Sequence, residues 1–201
     1  MSFEEKVSRV IRHDLVNVLF LVQAYSEMGQ SEELRKINYQ IKKAFSIIEV
    51  WKELEDNAEE PSWWELKYLL SKAVAQSGYP VEVEVDENIK VKTNGLFHFV
   101  FTNLIDNSMR HGGRDIKIKI SSKIEDSDLL IIYEDNGVGI PESEKERIFC
   151  QGFGKHTGLG MFFSRQIIEL MGGTIVENGS NGARFEIRLP KDIYKMSNEE
   201  S

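Results

Sequence analysis

The segment Asp135-Asn136-Gly137-Val138-Gly139 closes the apolar run 129–133 with an acid, then places glycines two and four residues beyond it. A carboxylate fixed at a strand end is a ready hydrogen-bond acceptor, and a backbone without Cβ atoms lets a ligand approach closely. The same residues also suit a plain turn after a strand. Gly158-Leu159-Gly160 opens a helical pattern. Exposed N–H groups and the helix dipole there can cradle a phosphate, or the glycines can simply join a loop to a helix. In Asn103-Leu104-Ile105-Asp106-Asn107-Ser108-Met109-Arg110-His111 two asparagines lie one helical turn apart on one face. Asparagine is only a moderate helix former, so the pair marks a task or a solvated face. Amide oxygens can complete the shell of a magnesium ion held mainly by phosphate and water. Arg110, three residues past Asn107, can meet a phosphate. Each piece is ordinary alone; their order and spacing along one chain are not.

A different chemistry stands near the N-terminus. Ile11, Leu15, Val18, Val22 and Tyr25 fall at the three/four spacing of an amphipathic helix. At about 100° per residue, His13 lies about 200° from the centre of that stripe and is expected in solvent. A neutral imidazole nitrogen is a competent nucleophile near neutral pH. Asp14 can accept the proton of the other ring nitrogen and fix its tautomer, or it is a surface acid. Val16 and Phe20 also fall on the His13 side, which suits a docking surface or burial against another part of the chain.

The elements that must position these groups divide at Glu55-Asp56-Asn57-Ala58-Glu59-Glu60, before Pro61. Residues 2–58 hold no proline and a single glycine, Gly29, while all four prolines lie from Pro61 onward. Leu34, Ile37, Ile41, Ala44, Ile48 and Trp51 repeat the helical spacing after Gly29 and the capping Ser31. Residues 1–60 are therefore expected as an antiparallel helical hairpin, and two hairpins as a dimeric four-helix bundle. Residues 61–201 alternate. Helices are expected over 64–76, 96–110 (closed by His111-Gly112-Gly113) and 159–171 (ended by Gly172-Gly173). Strands are expected at Val81/Val83/Val85, at Ile116/Ile118/Ile120, over 129–133, 174–176 and 185–189, with a hairpin at Asp126-Ser127-Asp128. The fold class is α+β: the hairpin, then a two-layer α/β sandwich with a mixed sheet and helices on one face.

Composition sets the outer bounds. The 201 residues are 29% charged and 41% apolar with a net charge of −8, and this acid excess argues against a nucleic-acid binder. The single Cys150 cannot form an internal disulfide. No apolar run approaches the roughly 20 residues of a membrane helix, and Met1-Ser2-Phe3-Glu4-Glu5 is not a signal peptide. The expectation is a soluble cytoplasmic protein with no membrane segment in this chain.

Asparagines on a helix, an acid–glycine strand end, an intervening segment and a glycine-led helix, in that order, resemble one family. It is the ATP-binding domain shared by sensor histidine kinases, type II topoisomerases, mismatch-repair ATPases and some chaperones. The resemblance covers about residues 62–190 and ends at Phe185-Glu186-Ile187-Arg188-Leu189-Pro190, as in the kinase branch. It implies ATP and Mg²⁺ as cofactors. Asn107 would bind Mg²⁺ with support from Asn103, and Asp135 would accept a hydrogen bond from the adenine amino group. Gly137 and Gly139 would border the base. Gly158 and Gly160, in the box Thr157-Gly158-Leu159-Gly160, would hold phosphates beside Arg110 and His111. Residues 141–157 would form a lid carrying Phe149 and Phe153, whose Lys155 would neutralise phosphate charge or remain solvated. His13-Asp14-Leu15-Val16-Asn17 resembles the phosphoacceptor box of histidine kinases, where an amide such as Asn17 can orient water for phosphatase activity or is a polar surface position.

The implied function is an ATP-dependent protein-histidine kinase of a two-component system. A homodimer would phosphorylate His13 and pass the phosphoryl group to an aspartate of a response-regulator receiver domain, under a separate sensor protein or domain. The chain departs from the family pattern at Val18, where a proline is usual, at His156, where a glycine is common, and at Arg110, which replaces a frequent lysine. One alternative is a serine/threonine kinase of the same superfamily, of the anti-sigma-factor type, against which the histidine-bearing hairpin argues. The other is a non-catalytic phosphotransfer or scaffold dimer, against which the intact Asn107, Asp135, Gly137, Gly158 and Gly160 argue.

Overall fold

The structure, a computed structural model, describes residues 61–93, 96–150 and 160–197, together with Leu19, Val22, Leu34 and Phe153. The chain divides into two units, Met1–Asp56 with Gly152–Leu159, and Asn57–Gln151 with Gly160–Ser201. In the first unit Leu19, Val22 and Leu34 are helical. The expected hairpin and its four-helix bundle otherwise lie outside the described residues.

The second unit is built on two sheets. The larger has the order β2 (Glu82–Glu84), β4 (Ile118–Glu125), β5 (Asp128–Asp135), β7 (Arg184–Leu189) and β6 (Thr174–Glu177). β2 runs parallel to β4, and the remaining pairs are antiparallel, so the sheet is mixed as expected. Asp126 and Ser127 take φ values of 53° and 70° and join β4 to β5 in a tight hairpin. Positive φ at both central residues gives the turn a twist that matches its strands.

Alternation decides the two faces. Ile120, Tyr133 and Phe185 stand in register across β4, β5 and β7, and all three are buried. This face meets the helices: Ser108 of α2 (Phe97–His111) lies 2.8 Å from the Tyr133 hydroxyl. The buried stripe of α2, Phe97, Phe101, Leu104 and Ser108, follows the three/four spacing. Helices α1 (Leu66–Ser77) and α3 (Gly160–Leu170) add Leu66, Leu69, Leu70, Ala73, Met161, Ile167 and Ile168 to the core. The opposite face is charged, with Arg184 on Glu134 at 2.9 Å and Arg188 on Glu125 at 2.8 Å. Leu130 and Ile132 of β5 alternate onto that face and are nevertheless buried, so the central strand is apolar on both sides.

A second sheet, β1 (Ser62–Glu65), β3 (Ile89–Thr93) and β8 (Tyr194–Met196), departs from expectation. The helix expected from residue 64 begins at Leu66, because Trp63, Trp64 and Glu65 pair antiparallel with Lys92, Val91 and Lys90. Aromatic residues suit a strand when a partner is present, and that partner is non-local. β3 carries its own period-two signal in Ile89, Val91 and Thr93, all buried. Among the described residues no helix is long and apolar enough to cross a membrane.

Candidate functional site

Asp135 ends β5, the central strand, and is only 8% exposed. Its Oδ1 accepts the backbone N–H groups of Gly137 at 2.9 Å and Ala183 at 3.0 Å. Its Oδ2 accepts the hydroxyl of Ser108. A carboxylate offers about four acceptor positions. Three are taken, two on Oδ1 and one on Oδ2, so the remaining position for an incoming donor is on Oδ2. Behind Ser108 lies the Tyr133 hydroxyl. Burial, with the Asp135 carboxylate adding to it, pushes the Tyr133 phenol far above its usual pKa and keeps it a donor.

Glycines let the backbone close around this acid. A Cβ on Gly137 would lie 2.6 Å from Gly112 Cα and 2.8 Å from its carbonyl oxygen, so the strand end lies directly on the C-terminus of α2. Val138 N–H donates to the same Gly112 carbonyl at 3.2 Å. Gly139 follows at φ +73°. On the other side Gly182, at φ +88°, has no room for a side chain, because a Cβ there would run into the Asp135 carbonyl oxygen.

The polar face of α2 carries three different situations. Asn103 Nδ2 donates to the Gly160 carbonyl and to Ser164 Oγ, both at 3.2 Å, tying α2 to the first turns of α3. Arg110 pairs with Asp106 at 2.8 Å, four residues back on the exposed surface, and His111 is exposed at the end of the helix. Asn107 is half-buried, and its amide makes no hydrogen bond among the described residues.

Residues 141–150, the start of the expected lid, form two short 3₁₀ turns, Glu142–Glu144 and Arg147–Phe149. Phe149 is buried edge-on against Phe185, with ring centroids 6.3 Å apart. The Arg165 guanidinium of α3 lies 3.8 Å over the Phe149 ring and bonds Glu146 at 3.2 Å. Lys145 donates to the Gly179 carbonyl at 2.8 Å and faces the buried Glu177 carboxylate at 3.5 Å. Phe153 is half-buried.

The family model for the histidine kinase-, DNA gyrase B-, and HSP90-like ATPase matches residues 92–193. The chain belongs to this ATPase family. The sensor protein KinB of Pseudomonas aeruginosa, which serves alginate biosynthesis, is 38% identical over 98 residues, covering 45% of this chain and 16% of KinB. The catalytic domain of histidine kinase ThkA is 29% identical, covers 66% of this chain and 96% of that domain, and superposes with a TM-score of 0.57. ThkA in complex with response regulator protein TrrA shares the fold at a TM-score of 0.58 and 24% identity, covering 98% of this chain and 63% of that one. The chain spans only 12% to 31% of the length of the first curated relatives it matches.

In this ATPase domain the structure brings Asp135, Gly137 and Gly139 to one strand end, beside the C-terminal turn of α2 that carries Arg110 and His111. Asn103 and Gly160 meet directly. Lys155, Thr157, Gly158 and Leu159, and likewise His13, Asp14 and Asn17, lie outside the described residues. Sequence reasoning missed Ser108, Tyr133, Gly182 and Ala183. Ser108 carried a usable signal, a hydroxyl on the buried stripe four residues after Leu104. Ala183 acts through its backbone, for which the sequence has no signal.

The two asparagines therefore separate by experiment. Asn103→Ala removes both ties to α3 and is expected to lower unfolding free energy by about 1–2 kcal/mol in urea denaturation. Asn107→Ala is expected to leave that midpoint in place while weakening binding of ATP in the presence of Mg²⁺.

Proposed function

We propose that the chain is an ATP-dependent protein-histidine kinase of a two-component system. ATP held at Asp135 phosphorylates His13, and the phosphoryl group then passes to an aspartate of a response-regulator receiver domain. The observation that carries this reading is the Asp135 carboxylate. It is pinned by three protein donors with one acceptor position left on Oδ2, and it lies in a domain of the ATPase family. One strong acceptor between glycine-built backbone suits the exocyclic amino group of adenine, with Gly137 and Gly139 bordering the ring.

Asn107 fits a magnesium ion, since its amide is uncommitted on the same helix face as Arg110. Among the described residues no three acidic, histidine or cysteine side chains gather as a metal cage. That suits an ion arriving with nucleotide phosphates and completed by an amide oxygen. When bound, Mg²⁺ neutralises charge on the phosphates. By the family resemblance, Arg110, His111, the Thr157-Gly158-Leu159-Gly160 box and Lys155 are the groups that would bind or neutralise those phosphates.

The rest of the reaction lies with His13. Its neutral ring nitrogen attacks the γ-phosphorus, the bond to the bridging oxygen breaks, and ADP leaves with that electron pair. Asp14 takes up the proton of the other ring nitrogen as positive charge develops. Asn17, four residues on, would orient the water that hydrolyses the regulator's phosphoaspartate and releases inorganic phosphate. Val22, on the expected apolar stripe, is 41% exposed in the single chain, which supports a homodimer through that stripe. The likeness to ThkA, seen with TrrA, supports a response-regulator partner.

The test is the stability of the product. Incubation with γ-labelled ATP and Mg²⁺ is expected to yield acid-labile, base-stable label on the chain, absent in His13→Gln. Acid-stable label, or label that survives the substitution, overturns the proposal.

A further inference from the structure

We infer that Ser108 and Tyr133 are positioning residues that orient the Asp135 carboxylate for its ligand, a two-hydroxyl relay from the core of the sheet to the base-binding oxygen. The inference rests on Asp135 being the acceptor for the base, as proposed above.

The direction of the relay follows from chemistry. An ionised carboxylate accepts only, so the Ser108 hydrogen points at Asp135 Oδ2. Ser108 has a single hydrogen, so at the 2.8 Å contact between the two hydroxyls Tyr133 is the donor. Tyr133 is fully buried and Ser108 is 4% exposed, so water does not compete for either group. A donor that is itself hydrogen-bonded becomes more polar, which strengthens its bond to the carboxylate.

The relay acts on the oxygen that matters. The backbone N–H groups of Gly137 and Ala183 both fall on Oδ1, while Ser108 holds Oδ2, the atom that carries the remaining acceptor position. Without the Ser108 hydroxyl, Oδ2 has no protein donor, and the carboxylate is held through Oδ1 alone, so the ligand-facing oxygen is less firmly placed. The Tyr133 hydroxyl then loses its partner in the core. The ligand group that senses this is the hydrogen donor on the purine, and the phosphates do not.

Paired nucleotides therefore read the relay in the full 201-residue chain. ATP carries the 6-amino donor, and purine riboside 5′-triphosphate lacks it. Wild type is expected to prefer ATP in calorimetric titration. Ser108→Ala is expected to weaken ATP about tenfold and the purine analogue less than about twofold, erasing most of that preference. Tyr133→Phe, which keeps the ring and its packing, is expected to weaken ATP alone by about threefold, and it carries the test if Ser108→Ala fails to fold. Equal losses for both nucleotides, or an undiminished preference in the folded variants, overturn the relay. A wild type without preference shows instead, before any substitution, that Asp135 is not the base acceptor, and the relay falls with it.

Discussion

Asp135→Asn is expected to leave a folded chain that no longer takes up ATP, with no heat in titration calorimetry and no label from labelled ATP. The substitution keeps size and shape, and an amide oxygen at the Oδ1 position still accepts the N–H groups of Gly137 and Ala183. The amide nitrogen is thereby driven into the Oδ2 position. There it presents hydrogens where the carboxylate presented lone pairs, so an incoming amino donor meets another donor. A lost charge-assisted bond together with an unpaired buried donor amounts to at least about a hundredfold in affinity. Urea denaturation should show a modest change, because the backbone contacts survive. ATP binding that persists in this variant removes Asp135 from the nucleotide site.

Among the described glycines, Gly182→Ala is expected to cost the most stability. The residue adopts φ +88°, and its new Cβ would collide with the carbonyl oxygen of Asp135, with the Asp135 carbonyl carbon 2.9 Å and the Asn136 Cα 3.2 Å away. All of these are backbone atoms of the strand end, so no side chain can swing aside. Positive φ contributes about 1 kcal/mol and the clash adds about 2 or more, for a loss of roughly 3 kcal/mol in urea denaturation. Relief by movement of the 179–184 turn would drag the Ala183 N–H away from Asp135, so ATP affinity should fall as well. Gly78→Ala is the control. Gly78 also has positive φ, 64°, but an added Cβ would meet nothing within 4 Å, and the expected loss is about 1 kcal/mol. An unchanged midpoint for Gly182→Ala is incompatible with the packing of that turn on β5.

How legible these features were depends on how local their causes are. β5, α2 and the β4–β5 hairpin announce themselves through short-range periodicity and turn residues, and they form where the pattern places them. β1 and β8 are four and three residues long, and each exists because β3 lies beside it. Nothing within Ser62–Glu65 favours a strand over the first turn of a helix until that partner is in place. The same division runs through the site. Asp135 is readable from its own neighbours, the glycines that follow it. Its restraints are not, because Ala183 and Ser108 come from 48 and 27 residues away. Asn103 and Asn107 look equivalent on the helix face, and only the approach of α3 gives Asn103 a structural partner.

The rim of the larger sheet bears on how copies of this chain can associate. Its outer strands, β2 and β6, are three and four residues long, and β2 flanks Val83 with Glu82 and Glu84, both ion-paired to Lys119. Edges so short give a second copy few free peptide groups, and at β2 the flanking acids add like charge on approach. Ribbon-like stacking through the larger sheet is thus discouraged, and self-association has to draw on some other surface.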